Sequence, residues 1–308
     1  MSGATWIVND LLTCIPGTRT LWSDLCDWLD AEWVGGNYDS LARDVEARAA
    51  DQKPGLIVRN GTYFGPIDLP SVPTISLIQD IMPGQSYQRG EQVRVARLST
   101  LTVFNSEYTR SKYPELSDLP YRIIPLPVDF DLFRPMPARP VADICWIGAP
   151  TRIKGWDTLG DIIRAMPTVT FALILKEHST GRTPDNVQVF TRVPHTELVN
   201  LINGCSVGLC TSREETQHLA GIEMAGCGLP IVAPNVGAYY NKRVSFNGWR
   251  LNEVDVSAIN WMMETGCPPS GTNNIVRESV MAAGFTRQAC EKAWKEAVEW
   301  AIASQRNA

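Results

Sequence analysis

The sequence predicts an α/β protein built from two parallel-sheet domains. Short apolar runs alternate with longer amphipathic stretches along most of the 308 residues. Strands that alternate with helices favour a parallel sheet with right-handed crossovers. The alternation starts again after a proline-rich segment, residues 134–140, whose composition is typical of a linker. We therefore expect two Rossmann-like domains, residues 1–138 and 141–285, followed by a C-terminal helix in residues 286–308.

In the first half, short runs rich in apolar residues predict strands at residues 6–8, 56–58, 74–78 and 101–104, and the run 122–127 closes this half. Two amphipathic stretches predict helices at residues 20–33 and 38–50. In the first of these, Leu21, Leu25, Trp28 and Leu29 recur at helical spacing.

In the second half, strands are predicted at residues 144–147, 170–175, 187–190 and 207–210, and helices at 158–165 and 196–203. The C-terminal stretch, residues 286–304, carries alanines and tryptophans at helical spacing and predicts one long helix that packs back across both domains. Ligands of open α/β sheets bind outside the carboxyl ends of the strands, so the loops that follow these strands are the candidate site.

Composition excludes several classes of protein. Hydrophobic residues make up 44% and charged residues 20%, which favours a packed core over disorder. The net charge of −5 gives no overall basic excess of the kind that nucleic-acid-binding proteins carry, although a local basic cleft stays possible. No run of 18 apolar residues is present, and the N-terminus lacks the pattern of a signal peptide.

The eight cysteines are scattered, without a Cys-x-x-Cys pair and without a histidine at metal-ligand spacing. We expect a cytoplasmic, reducing environment and no structural zinc.

Residues 211–237 are the most informative segment of the chain. Glu215 and Glu223 are separated by seven residues, and Glu223 begins a small-residue helical stretch that stops at Gly228. Pro230 then opens an apolar run that predicts a buried strand. A carboxylate can accept two hydrogen bonds from neighbouring hydroxyl groups, so this segment can hold a polyhydroxylated ligand. The dinucleotide pattern Gly-x-Gly-x-x-Gly does not follow the first strand, which counts against a NAD or FAD enzyme.

These residues resemble the retaining GT-B glycosyltransferases of the family 4 type, which use nucleotide-sugar donors. The paired glutamates with their small-residue helix and the sequence Gly-Leu-Pro-Ile-Val at residues 228–232 match that family. So do the loop of residues 148–155 ending in Lys-Gly, the segment 123–135 and the segment 103–108. The likeness is specific over residues 100–240 and weak before residue 75. It implies a GT-B fold, in which two Rossmann-like domains with parallel sheets face a central cleft and a C-terminal helix crosses back.

The resemblance also implies roles for individual residues. Glu223 would hold the ribose hydroxyls of the donor nucleotide, and Glu215 would lie near the donor sugar. Lys154 would neutralise the diphosphate leaving group and take the place of a metal ion. The expected cofactor is none and the expected metal is none, because the donor, a UDP- or GDP-sugar, is a substrate.

Further site residues are expected where the sequence departs from the family pattern. Ala149 stands where the family has an arginine after Gly148, and Arg152 either reaches the same phosphate or is solvated. Thr216, Gln217 and His218 stand where the family has a glycine-rich turn. His218 either contacts the donor or its phosphate or is an ordinary polar loop residue, and the following Leu219 is expected at the donor site.

In the N-terminal domain, Gln79 precedes Asp80 where the family has a histidine, and Asp80 either orients an acceptor hydroxyl or is an ordinary strand-end residue. Gly17, in a Pro-Gly-Thr sequence after the first strand, either lies near the donor phosphates or belongs to an ordinary turn.

The expected function is transfer of a sugar from a nucleoside-diphosphate sugar to an acceptor hydroxyl, with retention and without a metal. The acceptor is a glycan, a lipid, a protein or a hydroxymethylated DNA base. Two alternatives stay open. One is a nucleotide-sugar-binding protein that has lost catalysis, suggested by Ala149 and Gln79, and the other is a sugar-nucleotide epimerase or hydrolase on the same fold.

Overall fold

The computed structural model describes residues 3–9, 16–36, 39–61, 65–177, 183–242, 249–251, 254–265 and 274–306. The chain divides into two compact units. We call Met1–Pro127 together with Gln288–Ala308 the N-terminal unit, and Val128–Arg287 the C-terminal unit. Among the described residues, no helix combines the length and the low polarity that crossing a bilayer requires.

Each unit contains one parallel sheet, six-stranded over the described residues. The N-terminal sheet has the order β2-β1-β3-β4-β5-β6, with β1 at Thr5–Val8, β2 at Glu32–Val34, β3 at Leu56–Asn60, β4 at Thr74–Ile78, β5 at Leu101–Phe104 and β6 at Tyr121–Ile123. The C-terminal sheet has the order β12-β11-β10-β7-β8-β9, with β7 at Ala142–Gly148, β8 at Phe171–Leu175, β9 at Val187–Thr191, β10 at Cys205–Leu209, β11 at Ile231–Ala233 and β12 at Trp249–Leu251.

The helices lie mainly between successive strands. They are α1 at Pro16–Leu29, α2 at Leu41–Gln52, α3 at Tyr87–Arg97, α4 at Glu107–Ser111, α5 at Trp156–Ala165, α6 at His195–Asn203, α7 at Leu219–Gly226, α8 at Val256–Thr265, α9 at Asn274–Val280 and α10 at Arg287–Arg306. This order confirms the predicted α/β class with two Rossmann-like domains.

The strand sequences explain why these sheets are covered on both faces. Every residue of β3, β4, β5 and β8 is buried, and apolar residues make up most of each sequence. A parallel sheet whose crossover helices cover both faces has this pattern. The predicted strands at 74–78 and 101–104 coincide with β4 and β5.

The predicted helix at 20–33 is wrong in its second part. Helix α1 ends at Leu29, Asp30 adopts a left-handed φ of 46°, and Trp33 lies in β2, paired with Ile7 of β1. A left-handed residue stops a helix, and the following Trp-Val pair suits a strand. The predicted helix at 38–50 is α2, which begins at Leu41, and Tyr38 lies outside the described residues.

Helix α3 has no counterpart among the predicted elements. Its residues are predominantly polar, and Gln92, Val95 and Ala96 are the ones it buries. Its start is nevertheless fixed locally, because Ser86 caps it by accepting a hydrogen bond from the Arg89 backbone N–H.

Helix α10 packs within the core of the N-terminal unit. Its Trp294, Ala297 and Ala301 are buried among residues of β1, β3, β4 and β5. The Cys290 Sγ also lies 3.3 Å from the Pro125 carbonyl oxygen.

The boundary between the units falls after Pro127, ahead of the proline-rich segment 134–140. Phe130 and Phe133 belong to the C-terminal core, and the Arg277 guanidinium donates hydrogen bonds to their carbonyl oxygens, at 2.7 and 2.6 Å. These contacts assign the segment before the prolines to the C-terminal unit.

Candidate functional site

The candidate site of the C-terminal unit forms where β7 and β10 end. These strands are neighbours in the sheet, with Leu209 paired to Trp146, so the loops that follow them emerge side by side. The Arg213 backbone N–H donates to the Ile153 carbonyl oxygen at 2.8 Å, and the Thr211 hydroxyl donates to the Lys154 carbonyl oxygen at 2.8 Å. The two loops therefore form one joined surface at the carboxyl edge of the sheet, where ligands of such sheets bind.

Gly155 allows the two loops to come this close. Its φ is +67°, and a Cβ at this position would lie 1.9 Å from the Thr211 carbonyl oxygen. Only glycine has both the left-handed freedom and the small volume that this approach requires. The Lys-Gly sequence noted above thus has a structural reason: the glycine lets the lysine loop pack on the loop that carries Glu215.

Lys154 and Glu215 form an ion pair across the joined loops. The Lys154 Nζ lies 2.7 Å from Glu215 Oε1, and the Ser212 hydroxyl donates to the same oxygen at 2.7 Å. The Glu215 side chain is 8% exposed, whereas the Lys154 side chain is 34% exposed. The carboxylate is therefore fixed in the protein, and the ammonium faces solvent in part.

The charge of Glu215 is maintained by its neighbours. Burial alone would raise the pKa of its carboxyl group, but attraction to the imidazole of His218 where that ring is protonated, attraction to Lys154, and the hydrogen bonds from Lys154 and Ser212 outweigh burial and hold the pKa below its usual value. Burial lowers the pKa of His218 to about 4, so its imidazole is neutral near pH 7. Lys154 is therefore the cation that balances Glu215 at neutral pH.

His218 lies directly before α7 in an uncommon backbone conformation. Its φ is +66°, in the left-handed region, and its Nδ1 lies 2.5 Å from the Tyr239 hydroxyl. Such a φ is strained for most residues and natural for glycine. Here the buried contact with Tyr239 stabilises a histidine instead.

The His218–Tyr239 contact also requires a glycine beneath it. A Cβ on Gly221 would lie 1.9 Å from the Tyr239 hydroxyl oxygen and 2.4 Å from His218 Nδ1. Leu219, the first residue of α7, packs its half-buried side chain on the hydrophobic core of the C-terminal unit. The conformation at the start of α7 is thus fixed by side-chain packing.

Glu223 lies on α7 in different surroundings from Glu215. Its side chain is half-buried, and burial raises the pKa of its carboxyl group to about 7. Within the described part of the chain, this carboxylate makes no hydrogen bond or ion pair with another residue. A mostly desolvated carboxylate with unused acceptor positions is suited to binding hydroxyl groups of a ligand.

The other predicted donor-site residues of this unit have distinct places. Gly148 is the last residue of β7, and a Cβ there would lie 2.7 Å from the Trp146 ring. That ring donates from Nε1 to the Thr211 hydroxyl at 3.0 Å and so braces the joined loops. Arg152 is exposed, and its side chain has no hydrogen-bond partner among the described residues. Its role as a phosphate ligand stays a prediction.

The predicted residues of the N-terminal unit lie in its own sheet and first helix. Asp80 is half-buried after β4, and its carbonyl oxygen accepts hydrogen bonds from the Tyr113 hydroxyl at 2.9 Å and from Gln92 at 3.3 Å. Gln79 is buried, and its Oε1 has no hydrogen-bond partner among the described residues. Gly17 lies in the first turn of α1 rather than in a separate turn, because Pro16 occupies the first helical position, where proline is favoured.

Three contributors to the site were not singled out from the sequence. Ser212 bonds Glu215 and has a local signal, since it precedes the glutamate by three residues. Tyr239 anchors His218 across 21 residues of sequence, and Trp146 reaches Thr211 across 65, so no local pattern could have indicated either contact.

Metal-ligating groups also meet at this place. One ligand atom each from Cys210, Glu215 and His218 lie within 4.8 Å of one another, and all three residues are buried. The spacing of these three residues matches no metal motif, so the cluster could not be predicted from the sequence.

Comparison with known proteins agrees with this architecture. No protein-family model matches the chain. No curated protein matches it either. Among solved structures, a sucrose-phosphate synthase from Thermosynechococcus elongatus superimposes with a TM-score of 0.71 at 14% identity, covering 98% of this chain and 99% of that one. AviGT4, a glycosyltransferase involved in avilamycin A biosynthesis, gives 0.66 at 15% identity, covering 98% of both chains.

A third structure includes bound ligands. The pneumococcal O-GlcNAc transferase GtfA, in complex with UDP and GlcNAc, gives a TM-score of 0.58 at 14% identity and covers 86% of this chain and 60% of that one. At these identities the likeness concerns architecture, and it shows that the chain has the GT-B type of fold, with two Rossmann-like α/β domains.

Proposed function

We propose that this protein is a retaining glycosyltransferase that moves a sugar from a nucleoside-diphosphate sugar to an acceptor hydroxyl without a metal ion. The observation that carries the proposal is the joining of the loops after β7 and β10, which fixes the Lys154 ammonium 2.7 Å from Glu215 at the carboxyl edge of the C-terminal sheet. A fixed cation at this edge is suited to an anionic ligand.

In this proposal Lys154 acts on the leaving group. When the bond between the sugar C1 and the β-phosphate oxygen breaks, negative charge develops on the diphosphate. A preorganised ammonium stabilises that charge more in the transition state than in the bound donor, and this difference lowers the barrier. A bond from C1 to the acceptor oxygen forms on the same face, and the acceptor's proton leaves with the nucleoside diphosphate.

Glu215 keeps Lys154 in place and lies near the donor sugar. Its carboxylate is buried and accepts from both Lys154 and Ser212, so the ammonium is positioned before the donor arrives. His218 is neutral near pH 7 and can contact the donor as a hydrogen-bonding group without adding charge.

Glu223 binds the ribose of the donor nucleotide. It is half-buried and makes no hydrogen bond or ion pair within the described chain, so the two ribose hydroxyls would supply the donors that it lacks. Arg152, which is exposed, is proposed as an additional contact to the diphosphate.

The acceptor is assigned to the N-terminal unit, with Asp80 orienting its hydroxyl. A glycan, a lipid, a protein side chain and a hydroxymethylated DNA base all present such a hydroxyl. The donor screen starts from UDP-sugars and GDP-sugars, and the UDP bound to the pneumococcal transferase supports placing the UDP-sugars first.

A thermal-shift screen against UDP-, GDP-, ADP- and CMP-sugars tests donor binding. A donor present at a hundred times its dissociation constant should stabilise the protein by about 2.7 kcal/mol. The Glu223→Gln variant should bind at least about tenfold more weakly, whereas Lys292→Ala, at an exposed lysine of α10 in the N-terminal unit, should bind as the wild type does.

Turnover then separates the possible activities. Transfer to an added acceptor supports the proposal. Binding without transfer across a broad acceptor screen would instead indicate a catalytically silent binding protein, and rapid donor consumption without acceptor would indicate an epimerase or hydrolase. If none of these nucleotide sugars binds, the proposal fails.

A further inference from the structure

We propose that Cys210, Glu215 and His218 form a binding site for a soft divalent metal ion of the zinc type. Their ligand atoms lie within 4.8 Å of one another in the structure. Zinc takes thiolate, imidazole and carboxylate ligands at about 2.0–2.3 Å, which places tetrahedral ligand atoms roughly 3.5 Å apart. Side-chain rotations that move the ligand atoms by about one ångström therefore convert the cluster into a three-ligand site, with the fourth position left for water.

The backbone holds these ligands near one another in advance. Cys210 directly follows β10, and its N–H donates to the Val232 carbonyl oxygen at 2.9 Å. His218 is fixed at the start of α7 by its contact with Tyr239, in the way that a partner behind a ligand orients the imidazole in known metal sites. The three ligands thus come from one strand end, one loop and one helix start.

Glu215 has an oxygen available for a metal. Both Lys154 and Ser212 bond to Oε1, and in the described part of the chain Oε2 has no hydrogen bond from a protein group. The Lys154 side chain is 34% exposed, so its ammonium can move into solvent when a cation arrives. An entry route is thereby available beside the carboxylate.

The charge balance of binding is simple. The Cys210 thiol loses its proton to solvent when the sulfur–metal bond forms, and one proton is released for each ion bound. The thiolate and the carboxylate together carry two negative charges, which match a divalent cation, and the neutral imidazole completes the set. Thiolate and imidazole ligands favour zinc over magnesium or calcium, which prefer oxygen ligands.

The consequence for catalysis rests on the proposed function. A metal on Glu215 takes its charge away from Lys154 and occupies the place assigned to the donor sugar. The bound ion is therefore expected to inhibit transfer rather than to support it.

Cobalt titration tests the site directly, without any need for turnover. The expected result for the wild type is a near-ultraviolet thiolate-to-cobalt band that saturates at one ion per chain and is displaced by zinc. Cys210→Ser should weaken cobalt binding at least about tenfold and remove the band. Cys205→Ser is the matched control, because Cys205 is equally buried at the opposite end of β10, and it should keep the band. Absence of the band in the wild type, or its survival in Cys210→Ser, would overturn the site.

Activity tests the consequence separately. Zinc should inhibit transfer by the wild type and should not inhibit transfer by Cys210→Ser. For each protein, the rate with zinc is divided by its own rate without zinc. Equal inhibition of both would overturn the link to catalysis, even where the cobalt band is present. Cobalt binding requires no nucleotide sugar. Failure of the metal site therefore shows as a missing cobalt band, whereas failure of the proposed function shows as missing sugar transfer.

Discussion

The carboxyl group of Glu223 titrates at a higher pH in the folded protein than in the unfolded chain, so the stability of the protein should depend on pH. Burial raises the pKa of this carboxyl group from 4.5 to about 7. The folded protein therefore keeps a proton on Glu223 over a pH range in which the unfolded chain has lost it. For an acid with a raised pKa, this contribution to stability is greatest below about pH 4.5 and is lost as the pH rises to about 7.

The Glu223→Gln substitution keeps the shape of the side chain and is neutral at every pH. Linkage with these two pKa values gives a loss of about 2.5 kcal/mol in wild-type stability between pH 5 and pH 8, and the glutamine variant lacks it. This figure is an upper limit, because the side chain is half-buried and retains some contact with solvent.

The assay is equilibrium urea unfolding of the wild type and the variant at pH 5 and pH 8. Relative to the wild type, Glu223→Gln should gain stability as the pH rises. Glu177→Gln, at an exposed position in the same unit, controls for removal of one charge. A stability difference between Glu223→Gln and the wild type that is the same at both pH values would show that folding does not raise the pKa of Glu223.

Three further predictions concern neighbouring features. Lys154→Ala should lower kcat about a hundredfold in steady-state assays, because the leaving diphosphate loses its cation, and an unchanged kcat would place the phosphate elsewhere. Gly155→Ala should cost more than about 1 kcal/mol in thermal unfolding, since the new Cβ would collide with the Thr211 carbonyl, and wild-type stability would contradict this. Arg277→Ala should lower the free energy of unfolding in urea by roughly 2 kcal/mol, because the Arg277 guanidinium also bonds the Gly226 carbonyl oxygen at the end of α7. A smaller loss of stability in Arg277→Ala than in Arg277→Lys would contradict this bonding role.

Much of the fold could be predicted from hydrophobic pattern alone. Strands such as β4 and β5 are buried on both faces, so they appear as short runs in which apolar residues predominate. Helix α3 escaped prediction because it buries few residues and its sequence is mostly polar. Trp33 was assigned to a helix because tryptophan suits either structure, and the left-handed Asp30 that separates the two elements has no strong signature.

The site was predictable in its parts but not in its contacts. Lys154 and Glu215 are 61 residues apart, and they meet because β7 and β10 are neighbours, which depends on strand order rather than on local sequence. The left-handed backbone of His218 likewise cannot be predicted from its residue type, because it depends on a buried partner, Tyr239, from a later segment. Contacts of this kind follow from tertiary packing, which a single sequence does not reveal.

In the proposed complex, the joined loops hold a diphosphate while Glu223 holds a ribose. The most direct measurement is a crystal structure of the protein with a nucleoside diphosphate or its sugar that binds in solution. This binding mode places ribose hydroxyls within hydrogen-bond distance, about 3 Å, of the Glu223 carboxylate and a phosphate oxygen equally close to Lys154 Nζ. A nucleotide bound with its ribose and phosphates away from both side chains would contradict it.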